Sequence, residues 1–125
     1  MRMRQLVHPA IEDVTVAAIL HALGDPARAA LYAGIISSGS PQSCNALAQL
    51  SEQVIPKSTL SEHFKVLREA GLIRSERIGV EMRNTSRCAE VDRRFPGLIM
   101  AIIGAHKKQL DDQARTAKRR VKRAP

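Results

Sequence analysis

Residues 58–87 read STLSEHFKVLREAGLIRSERIGVEMRNTSR, and this stretch decides the fold class. Leu60, Phe64 and Leu67 repeat at helical spacing, so its first part predicts an amphipathic helix that ends before Gly71. After Gly71, apolar and polar residues alternate up to Ile78 and again over 81–87, and Gly79 lies at the turn between them. The stretch therefore predicts a helix followed by a β-hairpin.

The exposed side of this helix and the hairpin carry residue types suited to contact with DNA. Short polar side chains at a helix start can read base edges in a major groove, and cations on later turns or on a hairpin can hold phosphates. Glu62 repels phosphates, so it either accepts from a cytosine amino group or neutralises Lys65 or Arg68. The candidate DNA-binding residues are Lys57, Ser58, Thr59, Ser61, Glu62, His63, Lys65, Arg68, Arg74, Arg77 and Arg83.

Three of these candidates have an alternative role. Ser58 and Ser61 could act only as helix caps, because serine is a preferred N-cap residue. His63 lies about 60° from the apolar stripe, which favours a packing residue or one at the rim of the phosphate contact. His8 and His21 are interpreted in the same way.

Composition supports one folded domain that is basic at one end. The chain has 125 residues, of which 44% are hydrophobic, so it can form a packed core. Its aromatic residues are few, which disfavours a protein that stacks single-stranded bases. The net charge is +8, and six basic residues with no acid fall within 115–125. This leaves 14 basic against 12 acidic residues in residues 1–114, so DNA affinity must come from clustered charge or from the tail.

The remaining pattern divides the chain into an N-terminal arm over 1–10, a domain over 11–114 and a basic tail over 115–125 that we expect to be disordered. Helices are expected over 11–23 and 26–36, with Asp25 as the N-cap of the second. Ser43 is expected to cap a short helix that turns Ala46, Leu47 and Leu50 inward. A last helix starts near Phe95 and extends toward residue 117. The fold class is mainly α with one small β-hairpin.

The last helix predicts a homodimer. Residues 98–105 are apolar on every side, and a helix that is apolar all round is buried. A small domain cannot easily surround it, so we expect a second copy of the chain to cover it, with the first helix contributing. The candidate interface residues are Leu98, Ile99, Ile102, Ile103, His106 and Leu110.

The chain is expected to be cytoplasmic. No signal peptide is visible, and the longest apolar stretch is far too short to span a membrane. Cys44 and Cys88 are the only thiols, which argues against a disulfide scaffold. Both are interpreted as ordinary small residues, with a redox switch as the alternative because Cys88 follows Arg87.

Two strings in the chain resemble the ArsR/SmtB family of regulators. Residues 23–28, LGDPAR, resemble its "LGDPTR" signature, and residues 58–73, STLSEHFKVLREAGLI, resemble its recognition-helix string "STVSHHLKLLREAGLV". The resemblance covers roughly residues 15–110 and implies a winged helix-turn-helix dimer, paired through its first and last helices. It also implies a transcriptional repressor that leaves DNA when it senses a ligand.

The metal sites of that family are not reproduced. Where many members have Cys-x-Cys-Asp-Leu, this chain has Ser43-Cys44-Asn45-Ala46-Leu47. A second family site takes Asp-x-His and His-x-x-Glu from the last helix, where this chain has Asp92 followed by Arg94 and His106 followed by Gln109. Zinc binds about four N, S or O ligands, so we expect no metal and no cofactor.

The sequence therefore predicts a sequence-specific DNA-binding regulator that binds a palindromic operator as a homodimer and is released by a small molecule, an oxidant or dilution alone. The alternative is a non-specific or architectural DNA-binding protein that relies on the basic tail. An enzyme is not expected, because no nucleophile elbow, phosphate loop or paired-carboxylate pattern is present.

Overall fold

The computed structural model describes residues 6–38, 42–43 and 55–123. Within these ranges a 3₁₀ turn precedes the first of five helices, and three short strands form one antiparallel sheet in the order β1-β3-β2. The short helix predicted after Ser43 and the thiol of Cys44 lie outside the described residues. The elements are the 3₁₀ turn Ile11–Asp13, α1 Val16–Leu23, α2 Pro26–Ser38, β1 Gln42–Ser43, α3 Lys57–Glu69, β2 Ile73–Ile78, β3 Glu81–Ser86, α4 Cys88–Arg94 and α5 Leu98–Arg123.

The corner between α1 and α2 is fixed by two side chains of the string LGDPAR. Asp25 Oδ1 accepts from the backbone N–H groups of Ala27 at 2.9 Å and Arg28 at 3.1 Å, which confirms the predicted N-cap. Arg28 Nε donates to the carbonyl of Ala22 at 2.8 Å, at the C-terminal end of α1. Burial opposes ionisation of Asp25, but the N–H and the guanidinium of Arg28 outweigh it and lower its pKa.

The core forms where α3 packs beneath α1 and α2. The predicted stripe of Leu60, Phe64 and Leu67 is buried, and it meets Tyr32 and Leu23 in one cluster. The inward face of α2 consists of Ala29, Leu31, Tyr32 and Ile35, which are all buried.

Gly71 joins the recognition string to the hairpin and ends α3 as predicted. Its φ is +84°, and its N–H donates to the carbonyl of Arg68 at 3.0 Å. The hairpin then pairs Ile73 with Ser86 and Ile78 with Glu81, and Gly79 turns the chain with φ +63°. The predicted helix and hairpin are both confirmed.

The C-terminal region differs from the prediction in two ways. A separate helix, α4, precedes the last one, and Gly97 with φ +80° turns the chain between them. The segment expected to be a disordered tail is helical up to Arg123. Its composition explains the difference, because it is rich in Lys and Arg, which form helices well. Just before it, Asp112 pairs with Lys108 at 2.7 Å and with Arg115 at 2.8 Å.

The end of the N-terminal arm is fixed against the hairpin. His8 Nε2 accepts from the backbone N–H of Ser75 at 2.9 Å, on the free edge of β2. Burial, and then the nearby guanidinium of Arg74, lower the pKa of His8, so its imidazole is neutral and able to accept. Residues 8 and 9 of the predicted N-terminal arm therefore pack against the folded domain.

Candidate nucleic-acid interface

Helix α3 turns a continuous polar surface to solvent. Its apolar stripe faces the core, so the residues on the other side are exposed. This surface begins at the first residue of the helix and continues for more than two turns. We call it the recognition face, and it consists of Lys57, Ser58, Thr59, Ser61, Glu62 and Lys65.

The start of α3 is open to an approaching anion or base. Pro56 precedes the helix, no side chain caps it, and its first turn contains no acid. Ser58 is therefore not the N-cap, and no hydrogen bond joins the hydroxyls of Ser58 or Ser61 to another described residue. Capping alone does not account for these serines. Uncapped N–H groups and the helix dipole both favour a phosphate at this position.

His63 does not belong to this surface. It is 8% exposed and faces the core side of α3, so the prediction that it contacts DNA is wrong and its role is in packing. Its Nδ1 atom has no hydrogen-bond partner within the described part of the chain. An angle of about 60° from the apolar stripe puts His63 at the boundary between the buried and exposed sides of α3. Packing against neighbouring elements then buries it.

Glu62, Lys65 and Arg68 follow the first turn. Glu62 and Lys65 are exposed and Arg68 is half-buried. No ion pair joins Glu62 to Lys65 or Arg68 in the described residues, where all three lie. Neutralisation of a neighbour therefore does not explain this acid.

The hairpin divides its three candidate arginines between two faces. Strand alternation and register put Arg74 and Arg83 on one face and Arg77 on the other. Both residues on the first face are close to acids: Arg83 Nε lies 3.7 Å from Glu81, and Arg74 Nη2 lies 3.9 Å from Glu90. The hairpin is thus less basic than its arginines alone indicate.

A buried arginine behind the hairpin was missed from the sequence. Arg87 is 5% exposed, and it donates to Glu90 Oε2 at 3.0 Å and to the carbonyl of Pro9 at 2.7 Å. Glu90 in turn lies beside Arg74. A chain of polar contacts therefore connects the N-terminal arm, α4 and the hairpin. The sequence did contain a signal for this pair, because Arg87 and Glu90 are three residues apart at the start of a helix, a spacing that favours an ion pair.

The candidate dimer residues occupy three environments. Ile99 is 1% exposed and packs inside its own protomer, so its assignment to an interface is wrong. Leu98, Ile102 and Ile103 are half-buried against the same core, whereas Leu110 is 55% exposed. His106 lies between these environments, and its Nε2 is 2.6 Å from the carbonyl of Leu23 in α1.

An apolar surface nevertheless remains on the outer sides of α1 and α5. Val16 and Leu20 are 40% and 51% exposed on α1, and Met100 is 54% exposed on α5. A shallow groove also runs along α5, and it is lined by Ala101, Ile102, Ala105, His106 and Gln109.

Cys88 is in a poor environment for redox chemistry. Burial and the carboxylate of Asp92 raise the pKa of its thiol, which keeps it protonated. The neighbouring Arg87 guanidinium is held by Glu90 and Pro9 instead. The sequence argument for a reactive thiolate beside Arg87 is therefore not supported at Cys88.

Over the described ranges, no group of three His, Cys, Asp or Glu side chains is arranged to hold a metal ion. Nor is any helix there both long and apolar enough to cross a membrane.

Comparison with known proteins identifies the class. A family model described as a helix-turn-helix domain matches residues 15–76. The fold is similar to an ArsR-like transcriptional regulator from Rhodococcus sp. RHA1, with a TM-score of 0.52, 20% identity and coverage of 82% of this chain and 89% of that chain. A second crystal structure, of an ArsR family transcriptional regulator, gives a TM-score of 0.54 at 18% identity, covering 84% of this chain and 97% of that chain. No curated protein matches.

These observations define a helix-turn-helix protein whose recognition helix is followed by a β-hairpin wing. The resemblance of residues 23–28 and 58–73 is confirmed at the level of the fold: residues 15–76 match a helix-turn-helix domain, and the fold of the chain is similar to that of winged helix-turn-helix proteins of the ArsR type.

Proposed function

We propose that this protein is a sequence-specific transcriptional repressor that binds a palindromic operator as a homodimer. The observation that carries the proposal is the open first turn of α3. Lys57, Ser58 and Ser61 are exposed there, and no side chain caps the helix. Lysine can donate to guanine, and serine can donate to or accept from several base edges.

Each half of the operator would be read by one recognition face. The N-terminal residues of the helix enter the major groove, and Lys65 and Arg68 meet phosphates as the helix leaves it. Glu62 has no cationic partner on α3, so it accepts a hydrogen bond from a cytosine amino group. Among the described residues no acid forms an ion pair with Arg77, in contrast to Arg74 and Arg83, so Arg77 supplies the main phosphate contact of the wing.

The homodimer is supported by the apolar surface of α1 and α5. Val16, Leu20 and Met100 are large side chains with 40% or more of their surface exposed. Ala101 and Ala105 are exposed on α5, and their small side chains allow close approach of a second helix. With two-fold symmetry the recognition faces lie about 34–36 Å apart, so half-site centres fall about one helical turn apart.

The dimer is tested by analytical ultracentrifugation of Leu20→Lys and Met100→Lys. Each variant places a charge in the proposed interface without removing a buried core residue, so the chain should stay folded and become monomeric. Val80→Lys, which adds the same charge to a fully exposed apolar side chain at the turn of the hairpin, away from α1 and α5, is the matched control. A dimer that survives both of the first two variants excludes this surface.

Base reading is tested by selection from a randomised 30-base-pair library. Wild-type protein should enrich a two-fold symmetric motif, and Ser61→Ala should weaken the preference at one position of each half-site. A lost contact of this kind is worth about 1–3 kcal/mol of discrimination. Ser37→Ala is the control, because Ser37 is an exposed serine on α2, away from the recognition face. Identical motifs for wild type and Ser61→Ala would refute the assigned role.

The release signal is proposed to be a small organic molecule or a thiol oxidant. Binding to the selected duplex, measured with an oxidant, a chelator and a panel of divalent metals, separates these options. The absence of an enzymatic reaction is part of the same proposal, since the relatives with this fold are transcriptional regulators.

A further inference from the structure

The last helix extends far beyond the domain that it helps to form. His106 is the last half-buried residue of α5, and every residue from 107 to 123 is exposed. These 17 residues continue as unbroken helix for about 26 Å, at 1.5 Å per residue. We call residues 107–123 the basic arm.

The basic arm is strongly cationic on one side. At 100° per residue, seven of its eight Lys and Arg residues fall within an arc of about 160°. Its two acids are Asp111 and Asp112, and Asp112 already pairs with Lys108 and Arg115. The outer part of the arm has no ion pair with any described residue, and its cations are Lys118, Arg119, Arg120, Lys122 and Arg123.

This charge favours binding to a polyanion, because five cations on two turns of helix repel one another and a polyanion lowers that repulsion. DNA is the polyanion that the proposed function already gives as a partner of this fold. Its backbone presents one charge per about 1.7 Å of axis, and an arm of about 26 Å extends along some seven base pairs. Helical order matters here, because a preformed helix loses less conformational freedom on binding than a disordered tail does.

The composition of the arm favours DNA over a lipid surface. Its apolar stripe consists of Leu110, Ala114, Ala117 and Val121, and it has no aromatic residue. Helices that lie in a membrane interface insert a broader face of large apolar side chains. Two alanines and two branched residues bury too little apolar area for that.

We infer that the basic arm is a second DNA-binding element, which contacts the phosphate backbone and does not read bases. The inference rests on the proposed function for its choice of partner. On this inference the recognition face determines the base preference, and the basic arm contributes most of the DNA affinity that depends on salt. Mutations in one element should therefore change one property and leave the other unchanged.

The test uses an arm-neutral variant with Lys118→Gln, Arg119→Gln, Arg120→Gln, Lys122→Gln and Arg123→Gln. Glutamine forms helices nearly as well as lysine and arginine, and all five sites are exposed, so the fold should persist. Far-UV circular dichroism and sedimentation check that helix content and assembly are unchanged. Affinity for a mixed-sequence 40-base-pair duplex is measured by fluorescence anisotropy from 50 to 200 mM salt.

Each phosphate contact contributes about 0.9 to the slope of log affinity against log salt. Wild type should therefore lose affinity over this range about 12-fold more than the arm-neutral variant if two cations contact phosphate, and about 500-fold more if all five do. Equal slopes for the two proteins would overturn the inference. A second measurement uses vesicles of equal phosphatidylglycerol and phosphatidylcholine. If the two proteins have equal DNA slopes and only wild type binds these vesicles, the partner of the arm is lipid.

Failure of the inference differs from failure of the proposed function. Base preference comes from the library selection, and the arm-neutral variant should enrich the same motif as wild type. If wild type enriches no motif while the salt slopes still differ, the arm binds DNA and the repressor proposal fails. If the motif is found and the slopes are equal, the repressor proposal survives and the arm inference fails.

Discussion

Replacing Gly71 by alanine should weaken the fold at the joint between the recognition helix and the wing. Gly71 has φ +84°, and a left-handed residue other than glycine costs roughly 1–2 kcal/mol. An added Cβ would also lie 2.3 Å from Cγ2 of Val14, which is 2% exposed and cannot move aside. Such overpacking costs typically about 1–3 kcal/mol, so Gly71→Ala should lower the free energy of unfolding by about 2–5 kcal/mol.

Gly79→Ala is the matched control, since Gly79 also has a positive φ of +63° but no heavy atom lies within 4 Å of the added Cβ. It should cost only the backbone part, roughly 1–2 kcal/mol. Urea unfolding followed by far-UV circular dichroism measures both variants.

The Val14→Ala variant isolates the part of the cost of Gly71→Ala that comes from the clash with Val14. In Val14→Ala the atom that clashes is absent, so Gly71→Ala should cost no more there than Gly79→Ala does in wild type. The reasoning is refuted if Gly71→Ala and Gly79→Ala cost the same in wild type, or if Val14→Ala leaves the cost of Gly71→Ala unchanged.

Three further predictions follow from polar groups near the wing. Glu90→Gln leaves the buried Arg87 guanidinium without its charged partner, so unfolding in urea should show a loss of about 1–3 kcal/mol, whereas the exposed Glu12→Gln should show little change. Because the pKa of His8 is lowered in the fold, its hydrogen bond stabilises the protein above pH 6.5 and is lost as pH falls through that lowered pKa. The difference in unfolding free energy between wild type and His8→Ala should therefore shrink between pH 7.5 and pH 4.5, and a constant difference would contradict the contact. The raised pKa of Cys88 predicts slower alkylation by iodoacetamide at pH 7 in the folded protein than in urea, measured by mass spectrometry, and equal rates would contradict it.

The elements around residues 58–87 could be predicted because their signals are local. The stripe of Leu60, Phe64 and Leu67 has helical period, and Gly71 and Gly79 occupy turn positions that need positive φ. Asp25 before Pro26 is likewise a local helix-start signal, and its capping bonds confirm it.

What the sequence did not predict depends on contacts between distant residues. The bond from Ser75 N–H to His8 joins residues 67 positions apart, and that from Arg87 to Pro9 joins residues 78 apart. Ile99 and the apolar residues around it have the same composition whether they pack on their own protomer or on a partner, so periodicity could not assign Ile99 to the core. The outer part of the basic arm was predicted to be disordered because it is highly charged, although its residues also favour a helix.

The central claim is that the first turn of α3 reads bases, and one measurement tests it most directly. Affinities of wild type and of Lys57→Gln with Ser61→Ala are compared on every single-base variant of the duplex selected by wild type. The double variant should lose discrimination at the same one or two positions in each half-site, by about 1–3 kcal/mol per contact, and keep it elsewhere. Identical discrimination profiles for the two proteins would contradict the claim.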